Sequence, residues 1–121
     1  MVGDDAEGRE LAALLGKLPN VEADLIAMRG RPTTLKTRFV AGAQQLLRVD
    51  AEEVAGIEKD IESELVSAIH QVAADAALII LSDYAKGAMT DGVIKAALEA
   101  GEAFGIPVIA DPKGRDFRRY G

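Results

Sequence analysis

Residues 77–87 read ALIILSDYAKG, and residues 106–114 read IPVIADPKG. In each stretch an apolar run ends at an Asp, and a Lys-Gly pair follows within four residues. Continuous apolar runs of this length are typical of strands buried on both faces of a parallel sheet. The intervening segment, about 91–104, has helical spacing of its apolar residues and ends at Gly105. We therefore predict an α/β fold with a right-handed parallel β-α-β unit over about 77–110.

The two strands of this unit would each end at an acidic residue. Asp83 and Asp111 are predicted on one rim, the edge at which open α/β sheets bind ligands. Carboxylates there can hold sugar hydroxyls or a metal-bound phosphate. Lys86 and Lys113 lie beside glycines and suit phosphate oxygens, and the basic stretch 113–119 favours Lys113. The alternative is structural, because Asp opens many turns and lysines beside turn glycines are often only solvated.

A second pattern precedes this unit. Residues 33–50 alternate with period two around Gly42 and predict an antiparallel hairpin. Lys36, Arg38 and Arg48 are expected on one polar face, where they either contact a sugar phosphate or form a solvated strand face. Two strands alone are marginally stable in water, so the other face of the hairpin needs a covering partner.

The remaining segments predict short supporting elements. Residues 4–7 offer an N-cap and an acidic first turn for a first helix, and a short strand is predicted at 23–28. Asp50 and Glu53 have the spacing of a capping box. Apolar residues at three- and four-residue intervals then predict an amphipathic helix over about 54–74.

Composition narrows the class of protein. The chain has 121 residues, a net charge of −6, 49% hydrophobic residues, no cysteine and one histidine. The acidic balance argues against a nucleic-acid partner, and no apolar run reaches the ~20 residues of a membrane span. Without cysteine there is no disulfide or thiolate nucleophile, and a single histidine cannot anchor a metal cluster. We expect a cytoplasmic protein without a metal site of its own.

Several strong motifs are absent from the sequence. Gly87 and Gly92 have the spacing of the P-loop glycines, but Val93 and Ile94 follow where Lys-Ser/Thr is required. Neither the dinucleotide fingerprint G-x-G-x-x-G nor the hydrolase elbow G-x-S-x-G occurs.

Five segments together resemble a known family. They are VGDD at 2–5, RPTTLKTR at 31–38, QQLLRVD at 44–50, SDYAKG at 82–87 and DPKGRDF at 111–117. In their order and spacing they closely resemble the central part of the D-glycero-D-manno-heptose-7-phosphate kinase domain. This domain belongs to the ribokinase-like (PfkB) carbohydrate kinases and occurs alone or fused to a nucleotidyltransferase.

The resemblance implies ATP- and Mg²⁺-dependent phosphorylation of the anomeric hydroxyl of a heptose 7-phosphate, in ADP-heptose and lipopolysaccharide core synthesis. It implies a partial ribokinase-like, doubly wound sheet with a small antiparallel β-lid, the hairpin at about 33–50, through which the protein forms homo-oligomers. The lid residues that contact substrate would be Lys36, Arg38 and Arg48. The residues of the substrate and phosphate rim would be Asp83, Lys86, Asp111 and Lys113.

The sequence also departs from the family. It has neither the G-x-G-D segment, which supplies the catalytic base and an anion hole in these kinases, nor the Asn-x-x-Glu element that organises magnesium. We therefore expect 1–121 to be a single, incomplete kinase domain with no catalytic residue and negligible turnover. A non-catalytic α/β dimerisation or binding module derived from that kinase is the alternative.

Overall fold

The computed structural model describes residues 1–114 and 116–121. Arg115, part of the basic stretch and of the last family segment, lies outside the described residues. The chain divides into two compact units, Met1–Glu53 and Val54–Gly121. No helix in the described ranges combines the length and apolarity needed to cross a membrane.

The first unit begins with a small parallel sheet. Strand β1 (Val2–Gly3) pairs in parallel with β2 (Ala27–Met28), and helix α1 (Ala6–Leu15) lies between them in the chain. The side chain of Asp5 caps α1 by accepting a hydrogen bond from the Gly8 amide at 2.8 Å, which confirms the N-cap predicted within 4–7. The short strand predicted at 23–28 forms only over its last residues, and β1 was not predicted.

The antiparallel hairpin is confirmed. Strands β3 (Leu35–Ala41) and β4 (Gln44–Ala51) pair in antiparallel register, with Lys36 opposite Asp50 and Arg38 opposite Arg48. Gly42 in the turn has φ +58°, a conformation that glycine adopts without steric cost. The register shifts between Phe39 and Val40, where a β-bulge bends the ladder.

The second unit opens with helix α2 (Lys59–Ala73), which begins later than predicted. The capping box assigned to Asp50 and Glu53 was wrong, because the β3–β4 ladder continues through Ala51 and places Asp50 in a strand. Glu58 is the N-cap residue instead, without a side-chain capping hydrogen bond. At Asp50, pairing with β3 therefore determines the structure, and the capping-box spacing does not.

The β-α-β unit is confirmed in its order and in its parallel pairing. Strand β5 (Ile79–Asp83) pairs in parallel with β6 (Val108–Pro112), and helix α3 (Asp91–Phe104) connects them. Thr90 caps α3 by accepting from the Val93 amide at 3.1 Å, and Gly105 ends it at φ +67°. A short C-terminal turn of 3₁₀ helix follows (Phe117–Tyr120).

Burial of this sheet differs from the prediction. Leu81 packs with Ile94 and Ala97 of α3 in the core, whereas Ile80 is 64% and Ile109 is 53% exposed. The expectation of strands buried on both faces was therefore wrong, because α3 covers one face and the face carrying Ile80 and Ile109 is open. The α/β class holds. The sheets described here have two strands each, and a larger doubly wound sheet stays a prediction.

Candidate functional site

The ends of β5 and β6 form a pocket. Its volume is about 310 Å³, and it is lined by Asp83, Tyr84, Asp111, Pro112 and Lys113. Three of the four predicted rim residues are therefore brought together, and the fourth, Lys86, lies in the following loop outside the lining. In the register Asp111 is opposite Ser82, so the side chains of Asp83 and Asp111 alternate to opposite faces of the sheet.

Asp83 is buried and engaged within the second unit. It is 7% exposed. One carboxylate oxygen, Oδ1, accepts from the Ala85 amide at 2.7 Å, and Oδ2 accepts from the Tyr120 hydroxyl at 2.6 Å. The Arg119 guanidinium lies 3.9 Å from Oδ2. The hydrogen bond to Asp83 raises the pKa of Tyr120, and burial adds to this shift. Asp83 thus stabilises the rim through hydrogen bonds to Ala85 and Tyr120, whereas Asp111 and Lys113 are exposed at the pocket.

The loop that carries Lys86 has a defined shape. Ala85 has φ +54° and Gly87 has φ +84°, so Lys86 lies between two residues in the left-handed region. A Cβ atom on Gly87 would overlap the carbonyl oxygen of Ala55, which excludes larger residues at this position. The Asp83–Ala85 hydrogen bond closes the first turn of this loop.

The two arginines of the C-terminal turn, Arg118 and Arg119, pair with acidic residues of the second unit. Arg119 donates from Nε to Asp91 Oδ1 at 2.9 Å and from Nη2 to the Met89 carbonyl at 2.8 Å. Arg118 forms a bidentate pair with Asp116. Hydrogen bonding to Asp91 raises the pKa of Arg119. Arg118 and Arg119 therefore form ion pairs within the second unit.

Sequence reasoning missed Tyr120 and the role of Arg119. Tyr120 lies 37 residues from Asp83 along the chain. No local spacing connects the two residues. The only signal available was the chemistry of the pair, a buried strand-end carboxylate that needs donors.

The predicted lid cations share one face of the hairpin. Lys36 Nζ lies 2.7 Å from Asp50 Oδ2 and 3.1 Å from Glu52 Oε2, and Arg48 pairs with Asp50 through Nε at 2.7 Å and Nη2 at 2.9 Å. Arg38 is exposed opposite Arg48. The hydrogen bonds from Arg48 and Lys36 lower the pKa of Asp50 to about 2. The face is therefore a charge network with Asp50 at its centre.

This network predicts an acid-sensitive hairpin. Because the pKa of Asp50 is lower in the folded hairpin than in the unfolded chain, its pairing stabilises the hairpin above pH 4 and is lost as the pH falls through about 2. A carboxyl ¹³C NMR titration should give a midpoint for Asp50 near that value. In Arg48→Gln the midpoint should rise towards the ordinary range. An unchanged midpoint in Arg48→Gln would contradict the pairing, and Arg118→Gln, which leaves Asp50 untouched, is the control.

The second unit has a pocket at the carboxyl ends of two parallel strands, and the first unit has a hairpin with three cations on one face. Together they define a small α/β protein. No protein-family model matches the chain. It is 50% identical over 119 residues, 98% of its length, to "Bifunctional protein HldE" of Hyphomonas neptunium. Proteins of the same name from Gluconacetobacter diazotrophicus and Campylobacter jejuni are 42% and 38% identical over 99% and 99% of the chain.

These similarities support a relationship to the HldE family. The chain spans only about a quarter of the length of these relatives, 24% of the Hyphomonas protein and 25% of the Gluconacetobacter protein.

Proposed function

We propose that this chain is the sugar-phosphate-binding part of a D-glycero-D-manno-heptose-7-phosphate kinase that acts in cytoplasmic ADP-heptose synthesis for the lipopolysaccharide core. The observation that carries the proposal is the 50% identity to a bifunctional HldE protein over 98% of the chain. The geometry supports it, because a strand-end pocket with an exposed carboxylate and an exposed lysine suits a polyhydroxylated, phosphorylated ligand.

In this proposal each element has a separate task. Asp111 accepts hydrogen bonds from sugar hydroxyls, and Lys113 neutralises phosphate oxygens at the pocket. The resemblance gives the hairpin the role of a lid, whose Arg38 and Arg48 carry planar guanidinium groups that suit phosphate better than lysine does. Binding of phosphate by Arg48 would compete with its pairing to Asp50. Lys36, paired to Asp50 and Glu52, holds the charge network in place.

In this proposal the 121 residues supply little of the ATP and magnesium chemistry, because the G-x-G-D and Asn-x-x-Glu segments do not occur in the sequence. Among the described residues no group of three or more His, Cys, Asp or Glu side chains converges as a metal site. Mg²⁺ is usually held by one or two carboxylates together with substrate phosphates. Both carboxylate oxygens of Asp83 already accept hydrogen bonds, so Asp111 is the exposed carboxylate at the pocket that fits this role. The proposal places the general base and the main ATP contacts outside these 121 residues.

Binding of the sugar phosphate is the direct test. Titration of ¹⁵N-labelled chain with D-glycero-D-manno-heptose 7-phosphate should shift amide signals of β3, β4 and residues 111–114. Lys113→Ala should weaken binding about tenfold, the loss of one charge-assisted contact. Lys95→Ala is the matched control, because it removes the same charge from an exposed site beside Glu99 on α3.

Two results would count against the proposal. One is equal binding of the heptose without its phosphate, and the other is an equal loss of affinity in Lys113→Ala and Lys95→Ala. The purified chain should also give no ATP-dependent phosphorylation of the same sugar, since the G-x-G-D segment is absent from its sequence. Measurable turnover would show that the base lies within these residues.

A second candidate function is association through the hairpin. Leu35, Phe39, Leu47 and Val49 lie on the face opposite the cations, and all four side chains are exposed. An apolar strand face of this kind favours pairing with another copy. We expect light scattering to show dimers that Phe39→Lys converts to monomers. Leu18→Lys, at an equally exposed apolar position outside the hairpin, should leave the dimer intact, and a monomeric parent chain at high concentration would exclude this candidate.

A further inference from the structure

A closed hydrogen-bond network lies at the base of the hairpin in the first unit. The Asp5 carboxylate accepts three hydrogen bonds, from the Gly8 amide at 2.8 Å, the Thr33 hydroxyl at 2.6 Å and the Thr33 amide at 2.7 Å. The Thr33 hydroxyl oxygen in turn accepts from the Gly3 amide at 2.7 Å. Hydrogen bonding to Thr33 lowers the pKa of Asp5, as expected for a carboxylate that is ionised within its network.

The packing around this network leaves no room for other side chains. A Cβ atom on Gly3 would overlap the Arg31 carbonyl and the Asp5 carboxylate, and one on Gly8 would lie 3.0 Å from the Thr33 hydroxyl oxygen. Both glycines are buried. This close packing fixes the position of residue 33 against the end of β1 and the start of α1.

Hydrogen bonds within the first unit hold both ends of the hairpin. Strands β3 and β4 pair only with each other among the described strands, and every residue in them is exposed. Thr33 lies two residues before β3. At the exit of β4, the Arg31 guanidinium donates to the Glu53 carbonyl at 2.7 Å. Both ends of the hairpin are thus tied to residues 31–33, and Asp5 ties residue 33 to the helix.

We infer that Asp5 and Thr33 are positioning residues that set the direction of the hairpin, and with it of Lys36, Arg38 and Arg48, relative to α1. The importance of this direction for a sugar phosphate rests on the proposed function. The anchoring itself does not, because it follows from the contacts within the first unit. Asp5 acts through Thr33 and has no contact with the cations it positions.

The test compares Thr33→Val with Thr33→Ser in the full 121-residue chain. Valine keeps the shape of threonine, but it removes the acceptor for the Gly3 amide and the donor to Asp5. Serine keeps both. The chain contains no cysteine, so Ala13→Cys on the exposed side of α1 gives a unique site for a nitroxide label. Paramagnetic broadening of the amide signals of 35–51 then reports the direction of the hairpin without any ligand.

We expect Thr33→Val to change this broadening at least twofold at several hairpin amides while cross-strand amide protection within β3–β4 is kept. Thr33→Ser should match the parent chain. Arg31→Met, which removes the tie at the exit of β4, should change the broadening in the same direction. Unchanged broadening in Thr33→Val would overturn the inference. So would a joint loss of protection in the hairpin and α1, because that result would mean a purely structural role.

Because no sugar phosphate is added, this result is independent of the proposed function. Failure of the heptose phosphate to bind would leave the anchoring intact. Failure of the anchoring would leave the binding test as it stands.

Discussion

Asp83→Ala is expected to lower the free energy of unfolding of the second unit by about 3 kcal/mol, the cost of leaving buried polar partners unpaired. The substitution removes the acceptors for the Ala85 amide and the Tyr120 hydroxyl, and it removes the carboxylate that faces Arg119. Urea denaturation followed by tyrosine fluorescence measures this loss, because both tyrosines, Tyr84 and Tyr120, lie in the second unit.

Asp111→Ala is the matched control, since it removes the same group from the exposed side of the same rim. It should change the free energy of unfolding by less than about 0.5 kcal/mol. Tyr120→Phe should cost about 1 kcal/mol, the typical net value of one hydrogen bond. In the double variant Asp83→Ala/Tyr120→Phe the two effects should be less than additive. Equal losses at Asp83 and Asp111 would contradict the division of the rim into a structural and an exposed carboxylate.

The different exposure of Asp83 and Asp111 determines which of the two carboxylates a ligand can reach. Asp83 is 7% exposed and both of its carboxylate oxygens accept hydrogen bonds, whereas Asp111 and Lys113 are exposed at the pocket. We therefore expect sugar binding, if measured in Tyr120→Phe, to change less than in Lys113→Ala. The C-terminal turn then contributes to the site by holding the end of β5 and the loop that follows it.

The parts of the fold with a regular period could be predicted from the sequence. Alternation through 33–50 gave the hairpin and its polar face, since a side-chain period of two leaves one register in which Lys36, Arg38 and Arg48 lie together. The apolar runs at 77–87 and 106–114, with Gly105 between them, gave the parallel pair. The rim pocket followed from the topology of parallel strands.

The rest depended on contacts between distant residues. The Asp5–Thr33 and Asp83–Tyr120 hydrogen bonds join residues 28 and 37 positions apart, and such pairs leave no periodic trace in a sequence. The Asp50 capping box failed because a local pattern competed with a strand ladder. The open face of β5 and β6 was missed because an apolar run shows that a strand can be buried on both faces, not that both faces are covered.

Ile94→Ala is expected to be among the most destabilising single substitutions in the second unit. Ile94 is 1% exposed and packs with Leu81 and Ala97 at the centre of the core. Removing three buried carbon atoms from such a site typically costs about 3–4 kcal/mol, through lost transfer free energy and a residual cavity. Urea denaturation followed by tyrosine fluorescence should show this loss as a lower midpoint with an unchanged slope.

Ile80→Ala deletes the same atoms on the other side of the same sheet. Its effect on stability distinguishes a monomer, in which this face is exposed, from an assembly in which the face is covered. Ile80 is 64% exposed, so in a monomer the substitution should cost less than about 0.5 kcal/mol. A cost close to that of Ile94→Ala would mean that the open face is covered in solution. If a second copy covers it, the cost must grow with protein concentration, because association stabilises the folded state by mass action. A small cost at every concentration would exclude association through the face that carries Ile80.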